Sequence, residues 1–152
     1  MSTIPAVLDA LVVALRAAMP GVQVCDGQPV EDLADEVVVV GWQMERPAVS
    51  VDLHREDAGG MVDREIYDVA GLVSVVSGDT ATKPVRDRAY ELWDLLVAEL
   101  RRDPTLGVAG VMRARPFVAA FGQVQTSGDE VSAGGASATI SWVVAVDAFD
   151  RG

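Results

Sequence analysis

The sequence contains one cysteine, one histidine and one lysine among 152 residues, and this scarcity excludes several kinds of site. A single cysteine, Cys25, cannot form an internal disulfide, which fits a reducing compartment. His54 is the sole histidine, so any Ser-His-Asp or Cys-His catalytic site would have to be built around it. No Cys and His spacing typical of a metal centre is present. The longest apolar runs are also too short to cross a bilayer.

Each remaining candidate for chemistry has a simpler structural explanation. His54 stands beside acidic residues at the end of a predicted strand, and Cys25 lies in a different predicted strand. We therefore interpret the first as a surface residue and the second as a packing residue. The segment EDLADE lacks the ligand spacing and the glycine of a calcium loop, and the glycine-containing segments lack the order of a phosphate-binding loop. The sequence predicts no catalytic residue, no cofactor and no metal.

Half of the residues are hydrophobic, which is enough for one compact core and predicts a single domain over residues 1–152. The opening segment MSTIPAVLDALVVALRAAMPG has a hydrophobic middle, as a signal peptide does, but it lacks a basic start and is interrupted by Asp9 and Arg16. Its apolar residues keep helical spacing. We therefore expect an amphipathic helix of the mature protein rather than a signal peptide.

The order of periodic segments predicts an α+β fold with a mainly antiparallel sheet and two amphipathic helices packed on one face. Helices are predicted over residues 3–19, capped by Thr3, and 83–102, and strands over 22–27, 37–42, 48–56, 64–77, 110–125 and 136–150. Trp42, Trp93 and Trp142 fall in apolar periodic segments and are predicted core residues. The face without helices still carries Val76, Val143 and Phe149, so a second layer or a neighbouring subunit is expected to cover it.

The stretch DAGGMVDREIYDVAGLVSVVSGD, residues 57–79, predicts a long strand that leaves a tight acidic hairpin. Tyr67, Val69, Val73 and Val75 alternate with Asp68, Ala70, Ser74 and Val76, which is typical of a half-buried strand. The preceding strand pairs with it most simply through the hairpin.

Charge is distributed unevenly along the chain. The formal net charge is −11, and residues 26–68 hold twelve acidic residues against three arginines, which is nine of the eleven net negative charges. Such a surface repels nucleic-acid phosphates and suits a basic partner, or a surface past which DNA slides. In the C-terminal half, Arg113 and Arg115 lie two apart on one strand and so share a face. Complementary charge on separate faces allows head-to-tail association, and a contact that closes gives a ring.

The layout resembles a known family. The opening IPAVLDALVVALRAAMPGVQVCDGQPVED, the central REIYDVAGLVSVVSGD followed by VRDRAYELWDLLVAELRRDP, and the closing SATISWVVAVDAF are similar to tail terminator and related head–tail joining proteins of long-tailed phages. The resemblance spans nearly the whole chain. Its motifs are structural patterns rather than chemical signatures.

The resemblance implies a structural virion protein without enzymatic activity or cofactor. Tail terminators assemble as hexameric rings on the head-proximal end of the tail tube, stop tube polymerisation and join the tail to the head. The implied partners are other copies of the chain, the tail-tube protein below and a head-completion or connector protein above. DNA passes only transiently through the lumen, and no membrane is involved. The protein would be made in the host cytoplasm and reside in the virion.

Two loops and one strand are the candidate contact regions. The hairpin and the Gly-rich loop 126–135 are predicted to reach a ring neighbour, the tube or the lumen, through Glu56, Asp57, Gly59, Gly60, Asp63, Asp129 and Glu130. The candidate basic interface is Arg113 with Arg115.

Other functions fit the same sequence. Within virion assembly, the chain could be a head-completion, stopper or tail-tube protein, and a tube protein would polymerise into long tubes. From a different class, it could be a small acidic adaptor or immunity-type protein that binds a basic partner one to one. An enzyme would depend on His54 or Cys25.

Overall fold

The fold was examined in a computed structural model, which describes residues 2–54, 63–126 and 134–150. Within these residues, two helices and six strands follow each other. They are α1 (Ile4–Ala18), β1 (Gln23–Asp26), β2 (Glu36–Val40), β3 (Val49–His54), β4 (Asp63–Ser77), α2 (Thr82–Arg102), β5 (Val111–Thr126) and β6 (Gly135–Asp150). The predicted α+β class with a mainly antiparallel sheet and two amphipathic helices is confirmed.

The sheet is built around β4. Its strand order is β1-β2-β4-β6-β5, with β3 also paired to β4. β2 pairs with the second half of β4 and β3 with the first half, so these two strands lie end to end along the same side of β4. All pairings are antiparallel except that of β1 with β2.

Alternation along β4 and β6 divides the sheet into a helix-covered face and an open face. On the covered face, Tyr67, Val69 and Val73 of β4 pack with Trp142 and Val144 of β6 in the main core. The expected alternation of β4 is therefore confirmed. Helix α2 adds a stripe at helical spacing, composed of Val85, Ala89, Leu92, Trp93, Leu96 and Leu100. Helix α1 adds Val7, Leu11, Val12 and Leu15.

The start of α1 is held by β4 rather than by its own cap. Thr3 occupies the N-cap position, but its side chain makes no capping hydrogen bond, so the predicted cap is wrong. The Thr3 hydroxyl instead lies 2.9 Å from the Tyr67 hydroxyl. The Glu65 carboxylate accepts the Thr3 N–H at 3.1 Å and the Ser2 hydroxyl at 2.9 Å. Burial raises the pKa of Tyr67 to about 12, so this phenol keeps its proton.

Two expectations about exposure are wrong. Trp42 lies beyond the end of β2 and is only partly buried, because the strand stops at Val40. Val143, expected on an uncovered face, is 7% exposed. Gln43, which follows Trp42 in the chain, is also buried. Its side-chain amide donates to the backbone carbonyls of Gly71 (2.8 Å) and Trp142 (3.2 Å). Val76 does remain on the surface, with 46% exposure.

Gly71 marks the tightest point of the sheet and generates a first prediction. A Cβ atom at this position would overlap the Trp142 ring and the Val39 carbonyl oxygen. We expect Gly71→Ala to lower the free energy of unfolding by about 3 kcal/mol, since both neighbours are fixed by the core. Urea denaturation measures the loss. Gly78→Ala is the matched control, because a Cβ there meets nothing within 4 Å, and it should change stability by less than about 0.5 kcal/mol. Equal effects of the two substitutions would contradict the prediction.

Candidate interface surfaces

The predicted contact loops are largely outside the described residues. Glu56, Asp57, Gly59, Gly60, Asp129 and Glu130 all lie there, and they stay predictions. Asp63 is the first residue of β4, where it pairs with Asp150 of β6. Within the described part of the chain, the candidate contact surfaces are the two ends of the sheet.

β5 places Arg113 and Arg115 at one end of the sheet. They lie opposite Asp147 and Ala145 of β6, and both arginines are exposed. The pairing shifts register between Val111 and Arg113, so the alternation that puts the two arginines on one face begins only after this bulge. The Arg115 guanidinium lies 5.9 Å from the centre of the Phe117 ring, which is within cation–π range.

A groove of about 650 Å³ separates α2 from β5. Trp93, Val97 and Leu100 contribute apolar surface from the helix, and Arg101 lies near the helix end. The strand side includes both β5 arginines and Phe117. We name Arg101, Arg113 and Arg115 the basic edge. The groove therefore combines apolar side chains with three positive charges and one negative charge, that of Asp94.

The sequence pattern did not identify the apolar part of this surface. Phe117 and Val118 are 50% and 42% exposed, although as adjacent strand residues they point to opposite faces of the sheet. Pro116 could have indicated an edge strand, because proline lacks the N–H needed between two neighbours. The run from Pro116 to Thr126 also contains no charged residue. Together these signals point to an edge that is apolar as well as exposed.

The opposite end of the sheet is acidic. Residues 26–36, named here the acidic connector, run from the last residue of β1 to the first residue of β2 and contain five acidic residues and no basic one. The Gln23 side chain accepts the Ala34 N–H at 2.7 Å and donates to the Asp32 carbonyl at 3.3 Å, so the connector returns along β1. Val30 and Leu33 project from it with 95% and 61% exposure. The connector thus combines negative charge with exposed apolar side chains.

Only one acidic side chain of the connector has an ion pair within the described part of the chain. The Arg88 guanidinium donates two hydrogen bonds to the Glu36 carboxylate, at 2.7 Å and 3.0 Å. These bonds connect β2 to α2 and lower the pKa of Glu36. The other four, Asp26, Glu31, Asp32 and Asp35, are exposed. Their charge is therefore directed to solvent.

Cys25 and His54, the residues on which an enzyme would depend, are on separate strands, β1 and β3. Burial, and secondarily the Glu31 carboxylate, raise the pKa of the Cys25 thiol. A raised pKa disfavours the thiolate that a nucleophile requires. His54 pairs with Arg64 in the sheet register. The described residues contain no group of three or more His, Cys, Asp or Glu side chains that could hold a metal ion.

Neither helix is long and apolar enough to cross a membrane, over the residues that the structure describes.

Comparison with known proteins places this chain in no family. No protein-family model matches it, and no curated protein matches it in sequence. Among solved structures, a chain of an assembly titled "Virion of native gene transfer agent (GTA) particle" is similar over 96% of this chain and 98% of its own length. The two chains share 12% sequence identity, with a TM-score of 0.49. Similarity at this level establishes neither a shared family nor a shared function.

The ion pair beside the basic edge generates a second prediction. Arg64 donates two hydrogen bonds to the Asp147 carboxylate, at 3.0 Å and 2.7 Å, and these lower the pKa of Asp147. The positive charge of Arg113 lowers this pKa further. A lowered carboxyl pKa stabilises the fold above the unfolded value of about 3.9, and this stability is lost as pH falls through the folded pKa. We expect Asp147→Asn to destabilise by about 1 kcal/mol at neutral pH, because both side chains remain partly exposed. The gap between the variant and the wild type should narrow as the pH is lowered below about 4.

Urea denaturation at a series of pH values measures this gap. Asp9→Asn is the control, because Asp9 is exposed on α1 and the structure describes no ion pair for it. A gap between wild type and Asp147→Asn that stays constant down to acid pH would show that charge on Asp147 contributes nothing.

Proposed function

We propose that this protein is a structural virion component of a long-tailed phage, without enzymatic activity. In this proposal it caps the head-proximal end of the tail tube as a hexameric ring, ends tube polymerisation and joins the tail to the head. Its partners are further copies of itself, the tail-tube protein and a head-completion or connector protein. The proposal starts from the sequence resemblance to tail terminators, which spans nearly the whole chain.

The observation that carries the proposal is the opposite charge of the two sheet ends. The basic edge and the acidic connector lie at the two ends of one sheet, so each copy has a different surface for each of two neighbours. A ring requires this kind of heterologous contact, because a two-fold contact between identical patches stops at a dimer. The same asymmetry supports a protein that acts by assembly.

Net charge supports a limited role for DNA. The chain carries a formal charge of −11, which repels phosphates at distances up to roughly one Debye length. A ring of such subunits would offer DNA a passage with little adhesion. The two predicted loops, with Glu56, Asp57, Asp129 and Glu130, are the proposed contacts with the lumen, the tube or a ring neighbour.

Two other assignments differ from this one in the particle that they predict. A tail-tube protein would polymerise into long tubes on its own, whereas a terminator should stop at one ring. An acidic adaptor would remain a monomer or dimer and bind a basic partner one to one. Electron microscopy of the purified protein distinguishes a terminator from a tail-tube protein, and light scattering after size-exclusion chromatography identifies an adaptor.

The role in virion assembly generates a third prediction. Deleting the gene from the genome of its phage should yield filled heads and separate tail tubes of uncontrolled length. Without a cap, nothing ends tube growth or presents a surface to the head. Electron microscopy of the lysate and the titre of infectious particles measure both effects.

Supplying the wild-type gene in trans is the control and should restore joined particles. Joined, infectious particles at normal yield from the deletion phage would contradict the proposal. Filled heads with joined but overlong tails would show that the protein measures the tube without linking it to the head.

A further inference from the structure

The sheet is protected at one end and open at the other. Beside β1, the acidic connector runs back along the strand and is held there by the Gln23 side chain. Beyond β5, the sheet order contains no further described strand. The backbone groups on the outer side of a terminal strand are available to another chain.

The open end has an apolar surface that a soluble protein normally covers. Phe117, Val118 and Val124 are 50%, 42% and 59% exposed, and no charged residue occurs between Arg115 and the end of β5. Edge strands are usually guarded by charge, proline or a bulge. In β5 the arginines and Pro116 lie in the first half, and register shifts occur near residues 112 and 119. The second half, residues 120–126, has none of these guards.

We infer that the basic edge, with the groove beside it, binds the acidic connector of a second copy of this chain. The net charges are complementary. The connector has four exposed acidic residues beside Arg16 of α1, and the groove has three arginines beside Asp94. The apolar groups also match. Val30 and Leu33 project from the connector, and Trp93, Val97 and Phe117 line the groove.

Placement makes this contact repeatable. The two surfaces lie at opposite ends of one sheet, so a copy bound at the basic edge still presents its own basic edge to the next copy. Such a heterologous contact either closes into a ring or grows as a filament. The inference deepens the proposed ring and rests on that proposal for its choice of partner.

Charge reversal at each surface tests the contact. We expect the wild type to associate in sedimentation velocity experiments, with a mass that falls as salt is raised. R113E/R115E and E31K/D32K should each weaken self-association about tenfold or more, because each places like charges opposite one another. All four residues are exposed, so both variants should keep the wild-type circular dichroism spectrum. R113E/R115E should unfold at a slightly lower midpoint, because Arg113 also attracts the Asp147 carboxylate.

An equimolar mixture of R113E/R115E and E31K/D32K should associate again, because each reversed surface then meets its complement. Controls with matched changes of net charge are K83E/R86E and D9K/E45K, at residues that belong to neither surface, and both should associate as the wild type does. These controls separate a local contact from a general effect of net charge.

Three results would overturn the inference. The first is a wild type that stays a single protomer at the highest soluble concentration. The second is E31K/D32K associating like the wild type, which would mean that β5 edges pair with each other. The third is a mixture that stays dissociated although both variants are folded.

The deletion phage tests the proposed function separately from this contact. If R113E/R115E complements the deletion phage at normal yield while the wild-type gene is required, the function stands and the contact fails. If the contact behaves as expected while the deletion phage builds normal particles, the contact stands and the function fails.

Discussion

The antiparallel ladder between β4 and β6 is the constraint on which the rest of the fold depends. The two strands pair without a register shift from Asp63 with Asp150 to Ser77 with Ala136. One side of β4 pairs with β2 and β3, and the outer side of β6 pairs with β5. Helix α2 packs over the shared face of β4 and β6, and α1 packs against α2, β1 and β2. Because side chains alternate with a period of two, a slip of one residue would turn the entire core toward solvent. The close approach of Gly71 to Trp142 helps to fix this register.

The same ladder separates the two charged surfaces. β1 and β5 are the terminal strands of the sheet, so the acidic connector and the basic edge are held apart by the full width of the strands between them. Within one protomer they cannot neutralise each other. The ion pairs that do form are local or join adjacent elements, such as Arg88 with Glu36 and Arg64 with Asp147. Complementary charge therefore remains available to other molecules.

Local pattern was sufficient for most of the fold. The predicted helices end within one or two residues of α1 and α2, because apolar spacing and flanking proline residues act over a few positions. The alternation of β4 likewise identified its buried side. Features that join distant residues were not accessible from pattern. The Glu65 carboxylate accepts the Thr3 N–H at the start of α1, sixty-two residues earlier in the chain. No local sequence pattern predicts this contact.

The candidate surfaces show the same division. Alternation was enough to place Arg113 and Arg115 on one face, but it could not reveal that β5 ends the sheet. Strand order is set by pairing between distant segments, and the parallel contact of β1 with β2 across a short connector has no helical pattern to indicate it. The exposure of Phe117 and Val118 follows from that order. Their hydrophobicity alone does not predict it.

The dependence of α1 on Glu65 has a consequence for biosynthesis. Helix α1 is synthesised before β4, so the carboxylate that accepts the Thr3 N–H does not yet exist when α1 is made. A helix of this length is marginal in water without tertiary contacts. The nascent helix therefore lacks the contacts that bury its apolar stripe until its later partners have been synthesised. Stable packing of α1 thus depends on elements that follow it in the chain, β4 and α2 among them.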